Sequence, residues 1–498
     1  MKASAALPTP IHQDAMRHLV RKDGQEDLCF ALWNPSQGAA RLTTCIRQLV
    51  LPRDSEREVH GNVSFTPDFF ARALALARQE KCGLALMHSH VGPGWQGMSP
   101  DDVAAEEGHA PAAFGATGLP LVGLTIGTDG AWSARFWIRS APRHYERNWC
   151  ESVRVVGDRM LMTFDVGQRP IPPPRGEQVR TVSAWGANAQ ADLARLRIGV
   201  VGAGSVGAIV AEALARMGVA HVRLLDFDVV EQINLDRLLH ATMKDAVHRR
   251  LKVKVLAKHL RLSATARPFV VDALDLSVVE ESGYRAALDC DVLFSCVDRP
   301  WPRFVLNLIA YAHLIPVVDG GLCLTPMAGG RGLKRGTWRA HIAAPSRRCL
   351  ECLEQYDPSD VSIERSGLLD TPRYIEGLPA DHPLRRNENV FGLSLSVAAL
   401  EVEQFLRMVV PHPGHANIGA QTAHFVRGVI DTDLRVCDAR CPFCALVATG
   451  DRSGLADITG RHHAAENARA RRRKPKADQL ISVLHTIWGR LSQKTASG

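Results

Sequence analysis

Between an apolar strand at Arg197–Val201 and a helix at Ser205–Met217, the chain reads Gly202-Ala-Gly204-Ser-Val-Gly207. Glycines at this spacing suit a tight strand-to-helix turn. The backbone there can approach a phosphate, and the free N–H groups and positive dipole of the helix N-terminus lie behind it. Further strands at His221–Leu225 and Val292–Cys296, and a helix at Leu251–Arg261, predict a parallel sheet with crossover helices. Asp226 stands 24 residues after Gly202, at the end of the second strand, where a carboxylate meets ribose hydroxyls. To this point a dinucleotide oxidoreductase reads the same.

The next residues separate the two. Asp226-Phe-Asp228-Val-Val-Glu-Gln-Ile-Asn234-Leu-Asp-Arg237 gathers carboxylates, an amide and a guanidinium, Lys252 opens the following helix, and Asp298 ends the strand after that. Cations beside a glycine loop fit a triphosphate better than a hydride carrier, and a strand-end aspartate can hold magnesium against it. From Arg180 to Cys444 these residues, with Lys252-Val-Lys-Val-Leu-Ala257, Phe294-Ser-Cys-Val-Asp298 and Val390-Phe-Gly-Leu…Ala399-Leu-Glu401, resemble the ubiquitin-activating superfamily, including the bacterial enzymes that activate the thiamine and molybdopterin sulfur carriers. The resemblance implies a Rossmann-like adenylation domain that binds ATP through Gly202, Gly204 and Gly207. Asp226 would bind ribose, with Asp228 beside it. Asn234, Arg237 and Lys252 would hold the phosphates, and Asp298 would position Mg2+. Arg180 would reach across a homodimer to the partner's ATP. Ser205, Leu238 and Arg299 depart from the family's usual glycine, glutamine and asparagine, and none of the three removes a charge.

Four of the 12 cysteines form the pairs Cys349-Leu-Glu-Cys352 and Cys441-Pro-Phe-Cys444, which suit a tetrahedral structural zinc. Cys437 lies nearby, but the 441/444 pair has the expected spacing. Activating enzymes that pass the acyl group onward usually carry a nucleophilic cysteine after the first pair, and none lies between Cys352 and Cys437. Ser362 and Ser366 occupy that stretch. A serine there would form an oxyester and need a base, and ordinary loop serines are the competing reading.

Ahead of these motifs, a helix at Pro67–Glu80 and strands at Gly83–His88, Leu119–Ile126 and Ala131–Ile138 predict a separate α+β unit. His88-Ser-His90 ends one of the strands, so both imidazoles can hold one zinc, with a carboxylate from Ser99-Pro-Asp-Asp102 and a water completing an open site. Glu26 can take a proton from that water. The set resembles the JAMM motif of the JAB/MPN metalloisopeptidases, over about Ala15 to Ile138. The resemblance implies His88, His90 and Asp102 as zinc ligands, Glu26 as base and Ser99 as oxyanion donor. Eight residues separate His90 from Ser99 where the family has seven, so Asp101 stays open as the alternative ligand. A metal-free domain that only binds substrate is the competing reading.

Three consecutive prolines within Gly167–Gly176 mark a spacer, so the expected units are 1–165, a linker 166–179, 180–449, and a tail 450–498. In the tail, Arg469–Lys476 reads as a solvated basic run and Asp478–Leu491 as an amphipathic helix. The net charge of +8 is compatible with an acidic or polyphosphate partner. No leader or membrane span is expected, which points to the cytoplasm, and the basic run has no aromatic neighbours to suggest nucleic acid. The two resemblances together match fusions in bacterial ubiquitin-like conjugation operons: a carrier with a C-terminal glycine is adenylated, a conjugating enzyme is supplied separately, and a zinc isopeptidase works at the same terminus. The rivals are activation of a sulfur carrier, a non-catalytic scaffold for ubiquitin-like partners, and the dinucleotide oxidoreductase.

Overall fold

The computed structural model describes residues 2–60, 62–173, 175–378 and 388–473, which form an α/β fold with two large mixed sheets. The strands of the first part are β1 (Lys2–Pro8), β2 (Leu28–Gln37), β3 (Arg41–Val50), β4 (Arg57–His60), β5 (Asn62–Phe65), β6 (Gly83–Ser89), β7 (Leu121–Ile126), β8 (Trp132–Ala141), β9 (His144–Trp149), β10 (Ser152–Val156) and β11 (Met160–Phe164). Apart from the β4–β5 hairpin they join in the order β11-β10-β1-β3-β2-β6-β7-β8-β9. In β2, Cys29, Ala31 and Trp33 face the helix Thr9–Leu19, while Leu28, Phe30 and Leu32 face the helices Pro67–Gln79 and Pro100–Thr117. A strand covered on both faces must be apolar at consecutive positions, which is why Leu28–Trp33 of β2 and Leu84–Met87 of β6 read as unbroken hydrophobic runs. Thr66 caps the first of these helices by accepting the Phe69 N–H at 3.3 Å.

The second sheet comprises β12 (Arg197–Val201), β13 (His221–Leu225), β14 (Val270–Leu274), β15 (Val292–Ser295), β16 (Val317–Pro326), β17 (Leu333–Ala343), β18 (Ala420–His424) and β19 (Val429–Asp433). Their order is β14-β13-β12-β15-β16-β17-β18-β19. The chain steps outward from β12 to β14, then returns to lay β15 on the other side of β12. That reversal opens a crevice at the strands' C-terminal ends. The helices Ser205–Arg216, Lys252–Ser263 and Phe391–Val409 cover one face, and Glu281–Leu288 and Pro300–Ala312 the other. The expectation of a mainly parallel sheet needs correction: β12 to β16 are parallel, but β17, β18 and β19 add three antiparallel strands. β17 carries Lys334, Arg335, Gly336 and Arg339 among its apolar residues, so no clean alternation marked it.

The two sheets meet across a buried ionic cluster. Arg41 at the start of β3 reaches Asp291 at 2.5 Å, and Arg169 contacts Asp291 at 2.9 Å and Glu151 at 2.8 Å. Arg197 closes the set on Glu151. The proline-rich segment is therefore pinned through Arg169. Arg154 donates to the Leu314 carbonyl at 2.8 Å, and Ser36 meets His313 Nδ1 at 2.7 Å. Arg197, Asp291 and His313 all lie at the N-terminal ends of the parallel strands, opposite the crevice. On the first sheet the contact is made by the Gln37 end of β2, whereas Leu28 at its other end pairs with His88. β2 has 10 residues, and at ~3.3 Å per residue it holds the two ends roughly 30 Å apart.

Among the described residues no helix is long and apolar enough to cross a membrane. The expected helix Asp478–Leu491 lies outside them.

Candidate functional sites

The crevice at the strand reversal is a cavity of about 1230 Å³, and it gathers most residues singled out for nucleotide binding. Gly202, Gly204, Asp226, Asp228, Asn234, Arg237, Lys252 and Asp298 all line it. Gly207 sits just beneath. A Cβ on Gly207 would lie 1.9 Å from the Gly202 carbonyl, so the third glycine is what allows the helix to press against its strand. Gly202 has φ +93°, and a Cβ there would meet the Cys296 carbonyl at 2.4 Å. The Asp226 carboxylate accepts the Ala203 and Asp228 N–H groups, each at 2.7 Å. Lys252 Nζ lies 2.8 Å from Asp228. Burial pushes the Asp226 carboxyl above the usual range, with Lys252 pulling it back. Burial also works against the Lys252 ammonium, but Asp226 and Asp228 outweigh it and its pKa is raised. Lys252 is thus a charged donor lining the cavity.

Asn234 shapes the turn by accepting the Glu231 N–H at 3.0 Å, and Arg237 folds back on the Ile233 carbonyl at 2.6 Å. Asp298 has no hydrogen bond or ion pair among the described residues, which fits a carboxylate offered to a cation. Arg180 is exposed on the helix Val179–Trp185 and does not line the cavity. Ser362 and Ser366 are exposed and donate to the backbone carbonyls of Pro358 and Ile363, away from the cavity wall.

Several cavity residues were assigned no binding role from the sequence. Arg303 and Arg339 both pair with buried Asp319, at 2.9 and 2.6 Å, and Arg299 pairs with Asp370 at 2.9 Å. Cys323 on β16 exposes its thiol to the cavity but precedes the first cysteine pair, outside the stretch searched for a nucleophile. The segment His462–Arg471 also borders the cavity, although it belongs to the expected tail. Arg469 pairs with Glu280 at 2.7 Å and Arg472 with Asp275 at 2.9 Å, so the start of the basic run is packed rather than solvated. An Arg469/Arg472 spacing of three was the available signal for one helical face.

In the first unit, His88 Nε2 and His90 Nε2 lie 3.1 Å apart and meet Asp102 Oδ1 and Oδ2 at 3.4 and 3.2 Å. Strand β6 delivers His88, and His90 follows directly after its end. The N-terminus of helix Pro100–Thr117 delivers the carboxylate through a capping box, in which Ser99 Oγ accepts the Asp102 N–H at 3.1 Å and Asp102 accepts the Ser99 N–H at 2.7 Å. Asp102 rather than Asp101 is the carboxylate at the imidazoles. Its hydrogen bond to Asp102 raises the His90 pKa. Glu26 is half-buried two residues before Leu28, the residue paired with His88. Three convergent ligand atoms, from buried His88 and part-buried His90 and Asp102, fit a four-coordinate zinc with one free position.

The cysteine cluster differs from the expected set. Cys349, Cys352, Cys437 and Cys441 have sulfurs within 4.8 Å of one another, with Cys349 and Cys441 at 3.6 Å. A tetrahedron of ~2.3 Å zinc–sulfur bonds needs sulfurs about 3.8 Å apart. Cys444 is exposed at the edge of this group. The Cys349 and Cys352 N–H groups donate to the Cys437 and Cys349 sulfurs at 3.0 and 3.2 Å, an arrangement that would support metal-bound thiolates. The geometry therefore puts Cys437 where spacing alone put Cys444.

Residues 176–423 match the ThiF family. The UBA4 adenylyltransferase and sulfurtransferase of Yarrowia lipolytica is 30% identical over 145 residues, 29% of this chain and 35% of that protein. The ThiS sulfur carrier protein adenylyltransferase of Bacillus subtilis is 29% identical over 168 residues, covering 34% and 46%. The ubiquitin-like modifier-activating enzyme 5 of Drosophila willistoni is 27% identical over 151 residues, covering 28% and 36%. The chain spans 35% to 46% of the length of these relatives. Among solved structures, E. coli MccB aligns with a TM-score of 0.42 at 16% identity, over 55% of this chain and 77% of that one. The family match covers β12 to β18 and leaves the first sheet outside it. The chain therefore carries a ThiF-family domain over residues 176–423.

Proposed function

We propose that the ThiF-family domain adenylates the C-terminal glycine of a ubiquitin-like or sulfur-carrier protein with ATP. The observation that carries this reading is one cavity joining the glycine loop, the Asp226–Lys252–Asp228 group and unpaired Asp298 to a wall of β16 and β17. Lys252, Arg237 and Asn234 are placed to neutralise and orient the phosphates. Asp298 would hold magnesium, whose charge would be shared with the phosphate oxygens. An oxygen of the glycine carboxylate attacks the α-phosphorus, the bond to the β-phosphate oxygen breaks, and pyrophosphate leaves. The protein contributes positioning and fixed charge. Gly321, Leu322 and Trp338 line the cavity beyond the phosphate end, where an extended carrier tail would lie. Exposed Arg180 is the group a second copy would insert, which makes a homodimer part of the proposal.

For the first unit the reading is a zinc isopeptidase acting on bonds at the same carrier terminus, supported by the convergence of His88, His90 and Asp102. Zinc there would acidify a bound water. Glu26 would take its proton, and Ser99, whose oxygen already accepts the Asp102 N–H, keeps its own hydrogen to donate to an oxyanion. This fused site favours conjugation, with a separate conjugating enzyme. The lack of a cysteine between Cys352 and Cys437 favours sulfur-carrier activation, which uses the same first reaction.

ATP–pyrophosphate exchange with a carrier ending in an exposed glycine tests the proposal. Exchange should require that glycine and fall at least about a hundredfold in Asp298→Ala. Bound ATP without exchange for any such carrier would overturn it.

A further inference from the structure

The nucleotide cavity has a wall that the glycine-loop architecture does not supply. After the cysteine cluster the chain returns to the crevice and is fastened at each step. Trp301 Nε1 donates to the Ile458 carbonyl at 3.0 Å, and the Gly460 N–H to the Val279 carbonyl at 2.8 Å. His462, 1% exposed, meets Ser277 Oγ at 2.8 Å and Glu364 at 3.3 Å. The helix His463–Arg473 then begins, and two neighbouring faces of it do different things. Ala465, Arg469 and Arg472 anchor it, the alanine by burial and the arginines on Glu280 and Asp275. Ala464, Asn467, Ala468 and Arg471, at i, i+3, i+4 and i+7, border the cavity. The side chains of Asn467 and Arg471 have no partner among the described residues.

The anchor points say which end of a nucleotide this helix meets. Phosphates belong at the loop after β12 and ribose at Asp226 after β13, so the base extends toward the end of the next strand, β14. Asp275, Ser277, Val279 and Glu280, which hold the segment, are the residues that follow β14.

We propose that the helix His463–Arg473 is the outer wall of a purine subsite and that Asn467 is its specificity-determining residue, a proposal that rests on the cavity being an ATP site. Ala464 and Ala468 give a flat surface without side-chain bulk for the ring. The Asn467 carboxamide can donate to purine N7 and accept from an adenine N6 amino group. Guanine presents acceptors at both N7 and O6, so the same amide meets guanine with its oxygen against O6. Arg471, one turn beyond Asn467, adds a cation to the cavity from the same chain, independent of whatever Arg180 contributes in a second copy.

Calorimetric titration of the full chain with ATP, GTP and inorganic tripolyphosphate tests this. Wild type should bind ATP about tenfold or more tighter than GTP, and Asn467→Ala should bring the two within about threefold of each other. Ala468→Leu should weaken ATP about tenfold by filling the ring's place while leaving tripolyphosphate binding unchanged. Asn467 is exposed, so its variant keeps the test open if Ala468→Leu melts early. If both variants bind ATP and GTP as wild type does, while Asp226→Asn loses ATP, the wall is refuted and the adenylation reading stands. If wild type itself binds no ATP, both fail together.

Discussion

The His88/His90/Asp102 site and the nucleotide cavity are built on opposite plans. The first needs one strand end and one helix start, joined by the loop between His90 and Ser99. The second draws on loops after β12, β13, β14 and β15, on the β16–β17 wall, and on a helix reaching Arg471. A site made from neighbours in sequence survives as long as its two elements do, whereas a site made from distant segments exists only while the whole sheet is assembled. The two also face apart. β2 separates the histidines from the junction, and the parallel strands separate the junction from the cavity. On the proposed reading, a carrier tail seated in the cavity would be beyond reach of His88, His90 and Asp102 on the same chain, so hydrolysis there would act on a carrier bound separately.

The sharpest way to break this comparison is to cut the junction. Asp291 is fully buried and meets Arg41 and Arg169, and these cations hold its carboxyl well below the usual range. Asp291→Ala would strand buried arginines and should cost about 3–5 kcal/mol. In a denaturant melt the cavity unit, which loses a ligand at the base of β15, should unfold first. The first unit should then retain its zinc. Loss of zinc in step with ATP binding would show that the two sites are not independent.

With the junction intact, each site can be silenced alone. His90→Ala should abolish zinc-dependent hydrolysis while leaving ATP–pyrophosphate exchange within about twofold of wild type. Asp298→Ala should do the reverse, with an effect of about a hundredfold or more, corresponding to ~2.7 kcal/mol in the barrier. Metal content and both activities, measured on the same preparations, give the answer. A cross-effect above about tenfold would mean that the sites communicate across the junction.

What the sequence disclosed follows the same contrast. The His88-Ser-His90 and Ser99–Asp102 pieces are short, their geometry follows from a strand end and a capping box, and the fold brings Asp102, the first choice over Asp101, to the imidazoles. The glycine loop, Asp226 and Lys252 were legible because each sits at a fixed offset from a strand end. Arg339, Cys323 and Asn467 were not, because nothing local marks a residue that reaches a cavity through antiparallel strands or a returning helix. Spacing pointed to Cys441 and Cys444, whereas the fold also brings Cys437 to the sulfurs of Cys349, Cys352 and Cys441. Cys444→Ser should accordingly leave the metal content unchanged, and Cys437→Ser should lower it by one equivalent. The opposite pattern would restore the pair that spacing suggested.

The smallest expected effect concerns pH, and it falls on the junction. Burial lowers the His313 pKa to about 3 from 6.5, and burial likewise takes His341 to about 4. His313 is neutral in the folded chain, bridging Ser36 at 2.7 Å and Tyr284 at 2.6 Å. Because the folded pKa lies below the unfolded one, the unfolded state takes up the proton first as pH falls. Stability from this group is complete above pH 6.5 and is lost progressively toward pH 3. The loss should reach about 1 kcal/mol at pH 6 and steepen to ~1.4 kcal/mol per pH unit below that. Urea melts at pH 7.5, 6 and 5.5, taken as ~0.5–1.5 unit steps across this window, should show His313→Gln flattening the slope by about one proton. His341 lies outside the junction, so the slope it leaves should persist in that variant. If instead the slope of His313→Gln matches wild type, the histidine at the junction is not what makes acid loosen the two units.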